Sequence, residues 1–188
     1  MKEDLEKRIQ ILSEWLDESR HLVVFTWAGI STESGLPPKR LNRPWDSVEP
    51  NSGHMAIVEL QKMGKLKFLI SQNVDNLHLK SGIYPDLLAE LHGNMTKLCC
   101  ARCDNKVNKS NGMTMCQCRG KLVSSVVDFG QSLPEKDLRL SFEHSRKSDL
   151  FLVVGSSLVV TPAADMPLEA LRSGAKLAII NDFFYFFY

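Results

Sequence analysis

The sequence predicts an α/β fold, a parallel sheet with helices on both faces, carrying a small metal-binding module. Three observations predict it. Apolar runs of four or five residues alternate with amphipathic stretches, as in βαβ units. Three of those runs end in small or polar residues, at Trp27-Ala28-Gly29, Ser71-Gln72-Asn73 and Gly155-Ser156-Ser157. In parallel sheets the carboxyl ends of the strands are where ligands bind. The third observation is that all five cysteines, at 99, 100, 103, 116 and 118, lie in one twenty-residue window.

Residues 3–19 read as an amphipathic helix with Leu5, Ile9, Leu12 and Leu16 on one face. Leu22-Val23-Val24-Phe25 has the length and apolarity of a buried strand. Ala28 to Gly35 follows as a loop of small residues, and residues 36–53 hold four of the eight prolines and read as irregular. A helix is predicted from His54 to Met63, with Gly64 as its stop, then a strand over Leu66 to Ile70. The cysteine window, poor in apolar residues, reads as an insert with its own small fold. Helical pattern returns over Lys136 to Arg146, a strand over Leu150 to Val154, a helix from Ala163 to Ser173 ended by Gly174, and a last strand over Leu177 to Ile180. This divides the chain into a large sheet domain (1–37, 54–92 and 126–188), a short loop remnant (38–53) and a metal module (93–125).

The chain has 188 residues, with 23 Lys and Arg against 22 Asp and Glu, a net charge of +1. That balance excludes a strongly basic nucleic-acid binder and an acidic disordered tail. No apolar run is long enough to span a bilayer. The charge-alternating N-terminus has no secretory signal pattern, so a nuclear or cytoplasmic protein is expected. An odd, clustered set of cysteines is a poor disulfide framework there. Cys100-x2-Cys103 and Cys116-x-Cys118 offer four thiolates, the ligand set of a closed structural zinc site, with Cys99 left over as a plain thiol.

Taken singly, the other candidates are plain. The Ala28–Gly35 loop suits phosphate cradling but lacks the G-x-G-x-x-G spacing. His92 alone reads as structural, and Asn73 and Asp75 as helix caps. Together and in order they resemble the sirtuin family. Ala28-Gly29-Ile30-Ser31 through Ser34-Gly35-Leu36-Pro37 resembles its cofactor loop, with Arg40 closing the motif. Gln72-Asn73-Val74-Asp75-x-Leu77-His78 resembles a second motif, and Glu90-Leu91-His92-Gly93 the catalytic histidine motif. The cysteine pairs fall at the family's zinc positions. Val126-Val127-Asp128-Phe129-Gly130 with Leu133-Pro134 resembles the acyl-lysine-binding segment, and Gly155-Ser156-Ser157-Leu158 and Ile180-Asn181 the later NAD contacts. Asn94-Met95, Cys118-Arg119-Gly120 and Ser132-Leu133-Pro134 look most like the nuclear, chromatin-associated branch.

The resemblance implies a Rossmann-like domain with a zinc module, and NAD-dependent removal of acyl groups from protein lysines, histone tails among the candidate substrates. Nicotinamide leaves NAD as the acyl oxygen attacks the ribose, and the acyl group passes to the sugar. His92 would be the general base, with Asn73 and Asp75 lining the nicotinamide pocket. Ala28, Gly29, Ser31, Arg40, Gln72, Gly155, Ser156, Ser157 and Asn181 would hold the cofactor. Val127, Phe129 and Gly130 would take the substrate as an added strand. Protein ADP-ribosylation at the same site is the enzymatic alternative.

The chain also departs from the family pattern. Trp27 stands where the family has its leading glycine, and an indole there is expected to block the pyrophosphate or distort the loop. Lys39 replaces a phenylalanine that shields the ribose carbon. The segment from Trp45 to His54 is short. The chain stops soon after Asn181, ending in six aromatics from Phe183 to Tyr188, which reads as a truncated or alternatively terminated product. These departures motivate the alternative of a catalytically impaired zinc- and NAD-binding scaffold.

Overall fold

The computed structural model describes residues 2–36, 47–110, 112–128 and 130–181. Lys39, Arg40, Phe129 and the aromatic run 183–188 lie outside them, as does most of the 38–53 segment.

Five strands form one parallel sheet: β1 (Leu22–Thr26), β2 (Leu66–Ser71), β3 (Leu88–Glu90), β7 (Leu150–Val154) and β8 (Lys176–Ile180), in the order β3-β2-β1-β7-β8. β1 lies at the centre, with Val24 opposite Leu69 on one side and Leu152 on the other. Every residue of β1 is buried, which is why it reads as an unbroken apolar run. One face of the sheet packs Val23, Phe25, Phe68, Phe151 and Val153 against α4 (Glu135–Lys147) and α5 (Met166–Arg172). The other packs Leu22, Val24, Leu69 and Leu150 against α1 (Lys2–Glu18) and α2 (Ser52–Lys62). A short helix α3 (Leu77–Ser81) follows β2.

Local chemistry sets the element ends. α2 starts two residues before its apolar pattern because the Asn51 side chain accepts from the backbone N–H of Gly53 and His54. α4 carries Glu135 and Asp137 in its first turn and His144, Arg146 and Lys147 in its last, matching the helix dipole. The predicted 163–173 helix divides into a 3-10 turn, Ala163–Asp165, and α5. Pro167 has no N–H to give to the preceding turn, so it is tolerated only where a helix begins. The loop of small residues after β1 is itself a 3-10 turn, Ala28–Ser34, ended by Gly35 at φ 83°.

The cysteine insert folds separately as an antiparallel sheet of β4 (Lys97–Cys100), β5 (Lys106–Asn108) and β6 (Leu122–Ser124), in the order β5-β4-β6. Among its described residues the buried hydrophobics are Cys100 and Leu122. No described helix is long and apolar enough to cross a membrane.

Candidate active site

The carboxyl ends of β1, β2, β3, β7 and β8 converge on one side of the sheet, and most of the predicted site residues follow them. After β1 and β7 the chain makes two turns that touch backbone to backbone. Gly29 N–H donates to the Gly155 carbonyl at 2.9 Å. A Cβ on Gly29 would lie 2.6 Å from Gly155 Cα, and one on Gly155, at φ 64°, would lie 2.2 Å from Ile30 N. Only glycines allow this approach. Ser156 is buried beside them and accepts the Leu158 N–H. Gly155 N–H reaches the Ile180 carbonyl, which brings Asn181 to the same edge.

After β2, a buried polar relay joins two loops. Asn73 Nδ2 donates to Ser31 Oγ (3.0 Å), which donates to Asp75 Oδ2 (2.7 Å). Asp75 Oδ1 also caps α3 through the Leu77 N–H. Below this layer Thr26 Oγ1 donates to Ser71 Oγ, which also accepts the Asn73 backbone N–H. Thr26 has one hydrogen, so in its 2.8 Å contact with His78 Nε2 the imidazole is the donor. Burial, and next the nearby His54, push His78 down to about 3, so it is neutral. Its ring lies 5.0 Å from that of His54, whose pKa is also lowered by burial.

His92 follows β3 and is half-buried. Its Nδ1 lies 2.9 Å from the Gln72 carbonyl. A carbonyl only accepts, so Nδ1 carries the hydrogen and Nε2 keeps its lone pair. Burial lowers the pKa of His92, with the Gln72 bond opposing, which favours the neutral form. Gly93, at φ 76°, turns the chain beneath the 125–127 segment, where a Cβ would sit 1.7 Å from the Ser125 carbonyl oxygen. Val127 N–H then pairs with the His92 carbonyl at 3.0 Å. Asn94 Nδ2 ties the turn to Glu90 and Asn76, and Lys97 pairs with the buried Glu90 at 3.1 Å.

A cavity of about 660 Å3 opens at His92, walled by Trp27, Val74, Val127, Gly130, Leu138, Val160 and Pro162. Asn73, Asp75 and Ser31 form their own cluster, joined to the cavity through Gln72 and Val74. Gln72 Nε2 and Ser34 Oγ are buried without partners, which fits a polar ligand completing this end of the sheet. The expected distortion of the first loop by Trp27 does not occur. Trp27 has φ −141°, an extended conformation open to any residue, and the 3-10 turn follows it intact. Trp27 instead lines the cavity.

The four predicted metal ligands, Cys100, Cys103, Cys116 and Cys118, place their sulfurs within 4.8 Å of one another. The close approaches are 3.4 Å for Cys100–Cys118, 3.4 Å for Cys103–Cys118 and 3.8 Å for Cys103–Cys116. A tetrahedral zinc with its usual Zn–S bond separates sulfurs by about 3.8 Å. A disulfide is far shorter, so these are four thiols in a set that fits the metal. Gly120 makes room, since a Cβ there would lie 2.4 Å from Cys100 Sγ. The Arg102 backbone N–H, the largest influence, holds the Cys100 thiol down to about 6. The one-residue spacing of the second pair is accommodated by a turn at Arg119, φ 64°, closed by Arg119 N–H to the Cys116 carbonyl. Cys99 remains outside the set.

The Sir2 family model matches residues 39–162, about two thirds of the chain. The chain belongs to the Sir2, or sirtuin, family. It is 40% identical to the NAD-dependent protein deacetylase SRT1 of Oryza sativa subsp. indica, over 94% of this chain and 43% of that protein. It is 36% identical to NAD-dependent protein deacetylase 1 of Geobacillus kaustophilus (strain HTA426), over 90% of this chain and 85% of that one. The chain thus spans under half the length of the rice sirtuin and of its Arabidopsis thaliana counterpart, of which 44% is covered. The rice comparison runs over 206 positions, more than the 188 residues here, so that sirtuin carries residues within the aligned span that this chain lacks. Among solved structures, a Sir2–p53 peptide–NAD+ complex superposes with a TM-score of 0.77 at 33% identity, over 92% of this chain and 86% of that one. Sir2Tm bound to a propionylated peptide superposes with a TM-score of 0.78, also at 33% identity and the same coverage. The matched family span begins after the Trp27–Leu36 loop.

Sequence reasoning missed several cavity residues of this sirtuin. Glu135 and Leu138 line the cavity because α4 packs back over the sheet, Gln131 lines it from the turn before that helix, and no local pattern marks them. The buried His54–His78 pair had a signal, since His78 closes the second motif, but its neutrality follows only from burial.

Proposed function

We propose that this sirtuin is a NAD-dependent protein-lysine deacylase, transferring the acyl group to ADP-ribose and releasing nicotinamide. One observation carries the reading. His92 is held by the Gln72 carbonyl as a neutral imidazole with Nε2 unprotonated, at a cavity beside the buried Asn73–Ser31–Asp75 relay. A neutral histidine of fixed tautomer suits the removal of a hydroxyl proton near neutral pH. When bound, NAD would supply a C–N glycosidic bond that breaks, with nicotinamide as the leaving group, as an acyl oxygen bonds to the ribose carbon. Gly29, Gly155, Ser156 and Asn181 would hold its phosphate and ribose end, and Gln72 Nε2 offers an unused buried donor. The polar relay would orient the leaving nicotinamide and exclude water.

The substrate would be an acylated lysine in an extended segment. Val127 pairs with His92 through its main chain, and Val127, Asp128 and Gly130 line the cavity, so an extended substrate would run beside them. Peptide complexes among the Sir2 structures support this class of partner. The cysteine module would hold zinc structurally, since four thiolates leave no open position. The indole of Trp27 in the cavity favours the second reading, a sirtuin impaired in turnover that still binds.

The test is incubation of the chain with an acetyl-lysine peptide and NAD, followed by mass spectrometry. Deacetylated peptide, nicotinamide and an acetylated ADP-ribose in equal amounts are expected. Absence of all three from a folded, zinc-loaded sample would refute deacylation.

A further inference from the structure

We infer that Trp27 sets cofactor occupancy: its indole narrows the passage between the glycine-lined turns and the His92 cavity, and a smaller side chain there admits NAD more tightly. The inference rests on the NAD reading proposed above. Residue 27 joins the two parts of the site. It directly precedes Ala28 and Gly29, and its side chain lines the cavity that holds His92, Val127, Val160 and Pro162.

The backbone on both sides of residue 27 is fixed independently of the side chain. Trp27 N–H bonds the Val154 carbonyl, its own carbonyl accepts from Ile30 N–H, and Gly29 is locked to Gly155. A side chain on so constrained a backbone has few directions open to it. The extended φ of −141° accepts any residue without strain, so the fold does not demand tryptophan, and exchanging it leaves the turn in place. What the indole does instead is fill space. It is the largest side chain in the cavity wall, at the junction that a ligand reaching from the Gly29–Gly155 contact to His92 must cross. The Gly29–Gly155 backbone contact leaves that turn no freedom to swing aside.

The test compares NAD binding by calorimetry to the wild type, Trp27→Phe and Trp27→Ala, with circular dichroism and melting temperature as fold controls. Trp27→Ala is expected to bind NAD about tenfold more tightly than the wild type, with Trp27→Phe between them. NAD binding by Trp27→Ala but not by the wild type supports the inference in its strongest form. Equal or weaker binding by a folded Trp27→Ala, while the wild type binds NAD, overturns this inference and leaves the deacylase reading standing; weaker binding identifies the indole as a stacking platform. If all three folded proteins fail to bind NAD and release no nicotinamide, both the inference and the deacylase reading fall.

Discussion

The parallel sheet and the cysteine module solve the same problem by different means. In the sheet, β1 is wholly buried between two apolar layers, and Phe25, Phe151, Leu69 and Ile70 are among the fully enclosed side chains. In the module, three short strands enclose Cys100 and Leu122, while Val123 and Met115 stand in solvent. About thirty residues cannot bury enough apolar surface to fold unaided, and domains of that size usually rely on a metal or disulfides. The four convergent thiols take the place of a core. Burial by side chains tolerates gradual loss, whereas a four-ligand site fails as a unit.

Removing the metal should therefore have the largest effect, and a local one. Chelation, or Cys118→Ser, is expected to abolish stoichiometric zinc and the amide protection of β4 to β6, a loss on the order of 10 kcal/mol for the module. Protection of β1, β2 and β7 should survive. Hydrogen exchange followed by mass spectrometry reads both regions at once; unchanged protection in β4 to β6 would erase the contrast. Core truncation should grade next. Phe151→Ala should lower the urea unfolding free energy by about 3–5 kcal/mol. Leu98→Ala, on the half-buried β4, should cost only about 1 kcal/mol while zinc stays bound. Equal losses would mean that the module carries a core of its own.

An effect smaller than that of Phe151→Ala depends on pH. An unfolded histidine titrates near 6.5, but His78 stays neutral in the folded chain down to about 3. Below pH 6.5 the unfolded chain therefore binds a proton that the folded chain refuses, and stability falls as the pH drops. Between pH 7 and 4.5 the cost from His78 is about 2–3 kcal/mol. Urea denaturation at the two pH values should show that drop in the wild type and a clearly smaller one in His78→Gln. An identical drop in both would show that the proton uptake lies elsewhere.

The same contrast explains what the sequence made legible. Strands buried on both faces are continuous apolar runs, so Leu22–Phe25 and Leu150–Val154 could be read directly. The four ligands could be read because thiols cluster for few other reasons. β3 was not legible, since Leu88-Ala89-Glu90 is too short to show a period; the parallel pairing of Ser71 with Glu90 is what defines it. At the site, the His92 motif was legible but its tautomer was not, because the Gln72 carbonyl that fixes it arrives from another strand. Gly93 was legible as the end of that motif, but the reason for it, a missing side chain that lets Ser125 pass, was not. Trp27 was legible as a departure from the family pattern, yet its backbone angle reversed half of the expected consequence. Fold and ligand identities are written in local pattern, while tautomers, cavity walls and steric occlusion are set by residues far apart in the chain.

The most direct measurement is acyl transfer, read as deacetylated peptide and acetylated ADP-ribose formed from NAD and an acetyl-lysine peptide, for the wild type and His92→Ala at matched zinc content. If the neutral His92 at the sheet's carboxyl end is the general base, the wild type turns over and His92→Ala loses acyl transfer by about 100-fold or more, with its melting temperature unchanged. Equal acyl-transfer rates in the two proteins, or no acyl transfer by either when both are folded and bind NAD, would contradict it.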